Sequence, residues 1–195
     1  MTQIHFKKMK ELIEEYNERI KNSLQTISEN CKEHCFQFNT GELVPFTGKD
    51  SEKNCPAWQR LWRPFKQISS PVVYWFQLTS DTNPADVFEA AKKCKEAQVA
   101  DETFRYLPAL KKNGGTTSKT LYVGCCASTK FDARMFWHFG YYKVGQTQGL
   151  QLCHWSRPLA ADISIHVLQL PPEAKDLVYV YEKLVAQKLT PIIGK

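Results

Sequence analysis

Two tyrosines, an arginine, a histidine and a glutamate have types and positions suited to acid–base and anion chemistry. Tyr74 lies in a short aromatic, β-branched run, and Tyr122 lies in a second apolar run. Arg134 and His138 are four residues apart, so one helix would place both on the same edge. Glu182 comes late in the chain, at the border of the apolar face of a last helix.

Each of these side-chain types has a defined chemical capacity. A tyrosine acts as a base only if its neighbours draw away its proton, because the phenol pKa is about 10. A guanidinium presents a planar fork of donors that matches a phosphate. One carboxylate can hold a hard divalent ion whose other ligands are water and the phosphate. Activating water, neutralising charge on phosphorus and stabilising the leaving oxygen are what phosphodiester cleavage requires.

The elements that must position these residues can be predicted from periodicity. Apolar, β-branched runs predict strands at about residues 71–78, 120–124 and 162–170. Because these runs are short and separated by helical patterns, the sequence predicts an α/β fold. We expect a small, mainly antiparallel three-stranded sheet flanked by helices.

Three helices alternate with these strands. Asn83 is suited to cap a helix that begins at Pro84, and Ser128 is suited to cap one that ends at Gly140. Pro171 and Pro172 form a turn that leads into the last helix. Arg134 and His138 are thereby expected on the middle helix, and Glu182 on the last.

The first 65 residues are predicted to form a helical extension and a linker, with the main domain at residues 66–195. Residues 4–36 carry apolar side chains at helical spacing, and residues 37–56 are rich in turn formers. The helical stripe consists of Met9, Leu12, Ile13, Tyr16, Ile20, Leu24 and Ile27. Such a stripe needs a partner, either the rest of the chain or a second copy, so a homodimer through this helix is possible.

Composition limits the class of protein. The chain has 195 residues with a formal net charge of +6, which permits binding to nucleic acid without demonstrating it. Its apolar runs are shorter than the ~20 residues of a membrane span, so we expect no membrane partner. Seven cysteines, an odd number with two adjacent, favour a reducing, cytoplasmic setting over a disulfide framework.

Two tripeptides carry a resemblance to a known family. Residues 72–74 (Val-Val-Tyr) stand where the GIY-YIG nucleases have Gly-Ile-Tyr, and residues 122–124 (Tyr-Val-Gly) stand where they have Tyr-Ile-Gly. Arg134, His138 and Glu182 follow in the family's order. Over residues 70–195 the chain therefore resembles the GIY-YIG nuclease family.

The resemblance implies a role for each residue. Tyr74 would be the water-activating tyrosine, and Tyr122 would bind the phosphate or the water. Arg134 would contact the scissile phosphate, His138 would help to take the proton, and Glu182 would hold the metal ion. The implied protein is an endonuclease that depends on Mg²⁺ or Mn²⁺ and hydrolyses phosphodiester bonds in DNA. Lys130, just before the arginine helix, would add positive charge near the tyrosines.

Three departures from the family pattern keep other readings open. Val72 replaces the first motif glycine, the two motif tyrosines are 122 − 74 = 48 positions apart instead of in a short hairpin, and Gly194 stands where the family often has asparagine. The first alternative is therefore a catalytically worn nucleic-acid-binding module on a GIY-YIG scaffold. A second alternative is a scaffold that dimerises through its N-terminal helix.

A group of cysteines and one histidine near the end of the first predicted helix raises the question of a zinc site. Cys31, His34 and Cys35 lie close together, and Cys55 could join them, but zinc sites usually show tighter spacing and a second clear pair. We therefore do not favour zinc.

Overall fold

A four-stranded antiparallel sheet is the framework of the molecule. The computed structural model describes residues 2–48, 50–79, 81–100, 107–111, 117–142 and 149–194, and no side chain is described for residues 2–7, 28 and 98–100. The strands are β1 (Lys32–Asn39), β2 (Val72–Leu78), β3 (Thr120–Cys126) and β4 (Asp162–Gln169). Within the described residues their order is β1-β4-β2-β3, so β1 and β3 form the two edges.

Six α-helices accompany the sheet in the described residues. They are α1 (Thr2–Asn30), α2 (Pro56–Lys66), α3 (Pro84–Ala100), α4 (Phe131–Phe139), α5 (Leu152–Trp155) and α6 (Val178–Leu189). Short 3₁₀ turns occur at Thr40–Glu42, Ser51–Asn54, Arg157–Leu159 and Pro172–Leu177. None of the described helices is both long enough and apolar enough to cross a bilayer.

The two faces of the sheet bury different sets of side chains, because successive residues of a strand point to opposite faces. On one face Tyr74 and Phe76 join the main core, to which α2 and α4 contribute Phe65 and Phe131. On the other face Val73 packs with residues of α6 and the end of α1. The sheet is therefore covered on both sides, and α4 and α6 lie on opposite faces.

The α/β class and the three predicted strands are confirmed, but the sheet has a fourth strand that the sequence analysis missed. Helix α1 ends at Asn30 rather than residue 36, and β1 pairs with β4 along its whole length. In β1 Phe36 and Phe38 alternate with polar residues and contribute to the main core. The prediction of helix followed by loop was wrong here because β1 is an edge strand whose other face is polar.

Helix α2 was likewise missed within the expected linker. Trp58, Leu61 and Phe65 repeat at helical spacing and are buried in the main core. Because β1 lies before residue 65 and α2 extends from Pro56 to Lys66, a boundary near residue 65 cuts through one hydrophobic core.

The predicted bounds of α4 are nearly correct, but the cap is different. Lys130 occupies the N-cap position without a side-chain cap, so Ser128 does not cap this helix. Gly140 ends the helix as predicted, with a φ of 97° that an L side chain adopts only under strain. Arg134 and His138 therefore lie in the middle and last turns of α4.

The described contacts that anchor helix α1 come from its C-terminal half. Ile27 is buried, and Ser23 Oγ donates to the carbonyl oxygen of Glu173 at 3.1 Å. Arg19 forms an ion pair of 2.9 Å with Asp176. Farther out, four apolar side chains of the stripe are more than half exposed: Met9, Leu12, Ile13 and Tyr16. The homodimer expected through this stripe stays a prediction.

We predict that Ile27→Ala lowers the free energy of unfolding by about 2–5 kcal/mol, because it leaves a cavity between α1 and the sheet. Leu24→Ala on the same helix is the control, since Leu24 is 49% exposed. That control should cost less than about 1 kcal/mol. Urea denaturation of both variants measures the difference, and equal costs would contradict the described packing of α1.

Candidate active site

Arg134 connects the two tyrosines that the sequence singled out. Its Nε donates to the hydroxyl of Tyr74 at 3.0 Å, and its Nη2 donates to the hydroxyl of Tyr122 at 3.4 Å. Tyr74 comes from β2, Tyr122 from the neighbouring strand β3, and Arg134 from the helix that follows β3. One guanidinium thus ties together two strands and the helix above them.

Gly124 makes room for this arrangement. It lies opposite Tyr74 in the β2–β3 pairing. A Cβ atom at this position would lie 2.6 Å from the Tyr74 hydroxyl oxygen and 2.6 Å from Cε1 of Tyr122. Real Cβ atoms do not approach other atoms so closely, so both rings can occupy this space only because residue 124 is glycine.

His138 completes the network from the last turn of α4. Its Nδ1 accepts the backbone N–H of Leu150 at 3.2 Å, and its Nε2 lies 2.8 Å from the Tyr74 hydroxyl. Burial, with a smaller contribution from Arg134, lowers the pKa of His138 well below its ordinary value. The imidazole is therefore neutral. Because Nδ1 accepts a hydrogen bond, the proton must be on Nε2, which donates to Tyr74.

The two tyrosines differ in access to solvent. Tyr74 is 0% exposed, whereas Tyr122 is 8% exposed and lines a cleft. Burial raises the pKa of both phenols, while Arg134 acts on both in the opposite direction. Tyr74 consequently lies behind Tyr122 and does not border the cleft.

Glu182 is the acidic residue that lines the same cleft. The cleft has a volume of about 990 Å³ and lies along β3, with Arg134 on one side and α6 on the other. The Glu182 Oε2 atom accepts a hydrogen bond from the Cys125 thiol at 3.2 Å. The remaining wall comes from residues 107–111 and Gly194.

Arg134 has no acidic partner in the described part of the chain. Each described ion pair, defined by N···O within 4.0 Å, involves other residues. Its described hydrogen bonds go to neutral phenols. A half-buried cation is normally compensated by an anion, so this side of the cleft is a strong attractor for one.

The five residues singled out from the sequence therefore lie together, although in two layers. Tyr122, Arg134 and Glu182 line the cleft, and Tyr74 and His138 lie directly behind them. Their roles in catalysis stay predictions.

Sequence reasoning missed two contributors, the Cys125 thiol on Glu182 and the Leu150 amide on His138. The two residues are 57 positions apart in the first contact and 12 positions apart in the second. No local pattern signals them.

The donor set at Glu182 suits a hard divalent ion that keeps most of its water. The carboxylate lines an open cleft, and only Oε2 has a protein partner among the described contacts. Mg²⁺ and Mn²⁺ favour such oxygen ligands, and Mg²⁺ commonly takes only one or two carboxylates. Among the residues that the structure describes, no three metal-ligating side chains cluster together. This includes the cysteines and His34 considered for zinc.

We predict that Gly124→Ala displaces both tyrosine rings and lowers the free energy of unfolding by about 1–3 kcal/mol, through overpacking. Gly41→Ala is a useful control. Its Cβ atom would lie 2.9 Å from Oδ1 of Asn39, whose side chain is hydrogen-bonded to Gly41, Ala160 and Asp162, so this variant strains a turn but leaves the tyrosine rings in place. Thermal unfolding and a structure of the variant would measure the effect. An unchanged stability with undisplaced rings would contradict the crowding described for Gly124.

Comparison with protein-family models, with curated proteins and with solved structures finds no match to this chain. The resemblance to GIY-YIG nucleases therefore stays a prediction from the sequence.

Proposed function

We propose that the protein is a divalent-metal-dependent endonuclease of the GIY-YIG type that hydrolyses phosphodiester bonds in DNA. The observation that carries the proposal is Arg134, a half-buried cation without an acidic partner in the described residues, on a cleft that Tyr122 and Glu182 also line. An anion-attracting group, a phenol and a carboxylate meet there. Nicking of supercoiled plasmid DNA in Mg²⁺ or Mn²⁺ tests the proposal directly.

Arg134 would bind the scissile phosphate. A guanidinium has five N–H donors, and the two described bonds to tyrosines leave three of them. The tyrosines also fix the plane of the group before substrate arrives. A donor group that needs no reorientation stabilises the charge that grows on phosphorus in the transition state.

Tyr122 would take the proton of the attacking water, because it is the tyrosine that borders the cleft. This differs from the role that the resemblance gave to Tyr74, which is fully buried. To act as a base, Tyr122 must first release its own proton to solvent in the cleft. Burial raises its pKa and opposes this loss, whereas the Arg134 charge beside it favours the phenolate. The water oxygen then bonds to phosphorus while the bond to the leaving oxygen breaks, and solvent protonates that leaving oxygen.

Tyr74 and His138 would position Arg134. His138 Nε2–H and Arg134 Nε–H both donate to the Tyr74 oxygen, which therefore holds the guanidinium from behind. In this tautomer His138 has no free nitrogen with which to take a proton from Tyr74. We therefore assign His138 a positioning role rather than the proton-accepting role that the resemblance implied.

Glu182 would hold the divalent ion, which when bound supplies positive charge to a phosphate oxygen in the cleft. The Cys125 thiol donates to Oε2 of this carboxylate, which lines the cleft, and no described contact engages Oε1. Arg134 would then contribute to DNA binding without metal, and Glu182 would be needed for metal-dependent cleavage.

The alternative, a worn module that binds nucleic acid without cutting it, draws on Gly194. This residue lines the cleft beside Tyr122, where the family often has asparagine. Its φ is +108°, a conformation that an L side chain rarely adopts. DNA binding without nicking in either metal would favour this alternative.

We predict that Arg134→Ala lowers the rate of cleavage by at least about 100-fold, since it removes a group that acts on developing charge. DNA binding should weaken far less, because other contacts hold the polymer. Arg134→Lys should not restore cleavage, because an ammonium cannot replace the fork. Arg157→Ala, an exposed arginine away from the cleft, is the control. Near-normal turnover of either Arg134 variant would remove this residue from the mechanism.

We predict that Glu182→Gln keeps the helix folded and lowers metal-dependent cleavage by at least about 100-fold, because the amide keeps the size and loses the charge. Glu89→Gln is the matched control, since Glu89 is exposed on α3. Single-turnover cleavage across a Mg²⁺ titration would measure the effect. A Glu182→Gln protein that cuts DNA at the wild-type rate would exclude Glu182 as the metal ligand.

A further inference from the structure

A second cavity lies beyond the carboxyl end of β3, apart from the cleft described above. Its volume is about 610 Å³, and none of its lining residues lines the cleft. It is bounded by the segment before β2, by the loop between β3 and α4, and by the 3₁₀ turn that precedes α6. The proposed reaction uses none of these residues.

The cavity is lined by three exposed lysines, Lys66, Lys130 and Lys175, and one acidic residue, Asp132. No described ion pair within 4.0 Å involves any of these lysines. Lys66 Nζ lies 3.9 Å from the ring centroid of Trp62, which orients it without neutralising its charge. The hydroxyl residues Ser69, Ser70, Ser128 and Thr129 also line the cavity. A concave site with excess positive charge and hydroxyl groups suits a phosphate oxyanion.

The cavity and the cleft take residues from the same three parts of the chain: β3 and its end, α4 and its start, and α6 with the turn before it. We call the strip of surface along these parts the groove. The cleft takes Cys125 from β3, Arg134 from α4 and Glu182 from α6. The cavity takes Ala127 just after β3, Lys130 at the start of α4, and Lys175 before α6. The groove therefore continues from the cleft towards the N-terminal ends of α4 and α6.

The spacing along this groove matches the spacing of phosphates in nucleic acid. Lys130 precedes Arg134 by one helical turn, which is a rise of about 6 Å. Lys175 precedes Glu182 by roughly 12 Å, counted as three 3₁₀ residues and four α-helical residues. One strand of B-DNA advances about 3.4 Å per phosphate, so these distances correspond to about two nucleotides for Lys130 and about three to four for Lys175.

We propose that this cavity is a second phosphate subsite, which holds a phosphodiester about two to four nucleotides from the scissile one on the same strand. This proposal rests on the proposed function, because it takes its register from the phosphate at Arg134. The protein would then require a polymeric substrate, with at least about two further phosphates on one side of the cut. Lys130 and Lys175 would contribute to binding, and the chemical step would stay with the cleft.

Binding of the full-length chain to a fluorescein-labelled 20-base-pair DNA duplex, in EDTA so that metal-dependent cleavage does not occur, tests the charge of the subsite. Lys130→Gln/Lys175→Gln should weaken binding by about 10-fold at moderate salt, and the slope of log K against log salt should fall by about two. The matched control is Lys10→Gln/Lys21→Gln, which removes two exposed lysines of α1. It should change the slope by less than one.

The position of the subsite is tested by cleavage of strands that carry one neutral methylphosphonate linkage. Neutralising one linkage between about two and four nucleotides from the cut, on one side, should raise KM about 10-fold in the wild type and not further in the double variant. A double variant that binds like the α1 control, or an effect independent of linkage position, overturns the subsite. If the wild-type protein does not nick DNA, the proposed nuclease function fails. The binding measurement in EDTA still decides whether the cavity binds phosphate.

Discussion

The two hydrogen bonds from the Arg134 guanidinium to the phenols of Tyr74 and Tyr122 are the constraint on which the site depends. Arg134 reaches Tyr74 on β2 and Tyr122 on β3 only if these strands pair in the observed register. That register places Gly124 under both rings, where a side chain would not fit. Helix α4 must also begin only a few residues after β3, so that Arg134 in its middle turn lies close to the tyrosines of the sheet. Strand pairing, one glycine and one helix start are thus tied to a single cation.

Burying three polar rings has a free-energy cost that this network offsets. The hydroxyl of Tyr74 and both nitrogens of His138 are buried, and each has a hydrogen-bond partner in the described structure. A half-satisfied polar cluster would be less stable than an apolar core. Because the partners come from β2, α4 and the segment before α5, the network also fixes these elements relative to one another. Tyr122 and Arg134 are therefore held rigidly at the cleft before any ligand binds.

Much of this arrangement could be predicted from the sequence because it depends on local patterns. Short apolar runs identified β2, β3 and β4. The four-residue spacing of Arg134 and His138 identified the edge of α4 that carries both side chains. Edge strand β1 escaped because it is apolar on one face only and follows a long helix. Helix α2 escaped because turn formers precede it and Pro64 interrupts its pattern, although Trp58, Leu61 and Phe65 have helical spacing. Contacts such as Cys125 with Glu182 depend on tertiary packing, which no local pattern reveals.

The order of the chain also has a consequence for protein synthesis. The tyrosines and Arg134 are made early, but the cleft is completed by Glu182 and Gly194. Ile192 and Ile193 hold that last segment in place, since their backbone N–H groups donate to the carbonyl oxygens of Thr120 and Leu121 at 2.9 Å. Chains emerge from the ribosome from the N-terminus onward. The cleft therefore cannot form in full on a nascent chain until residue 194 has emerged.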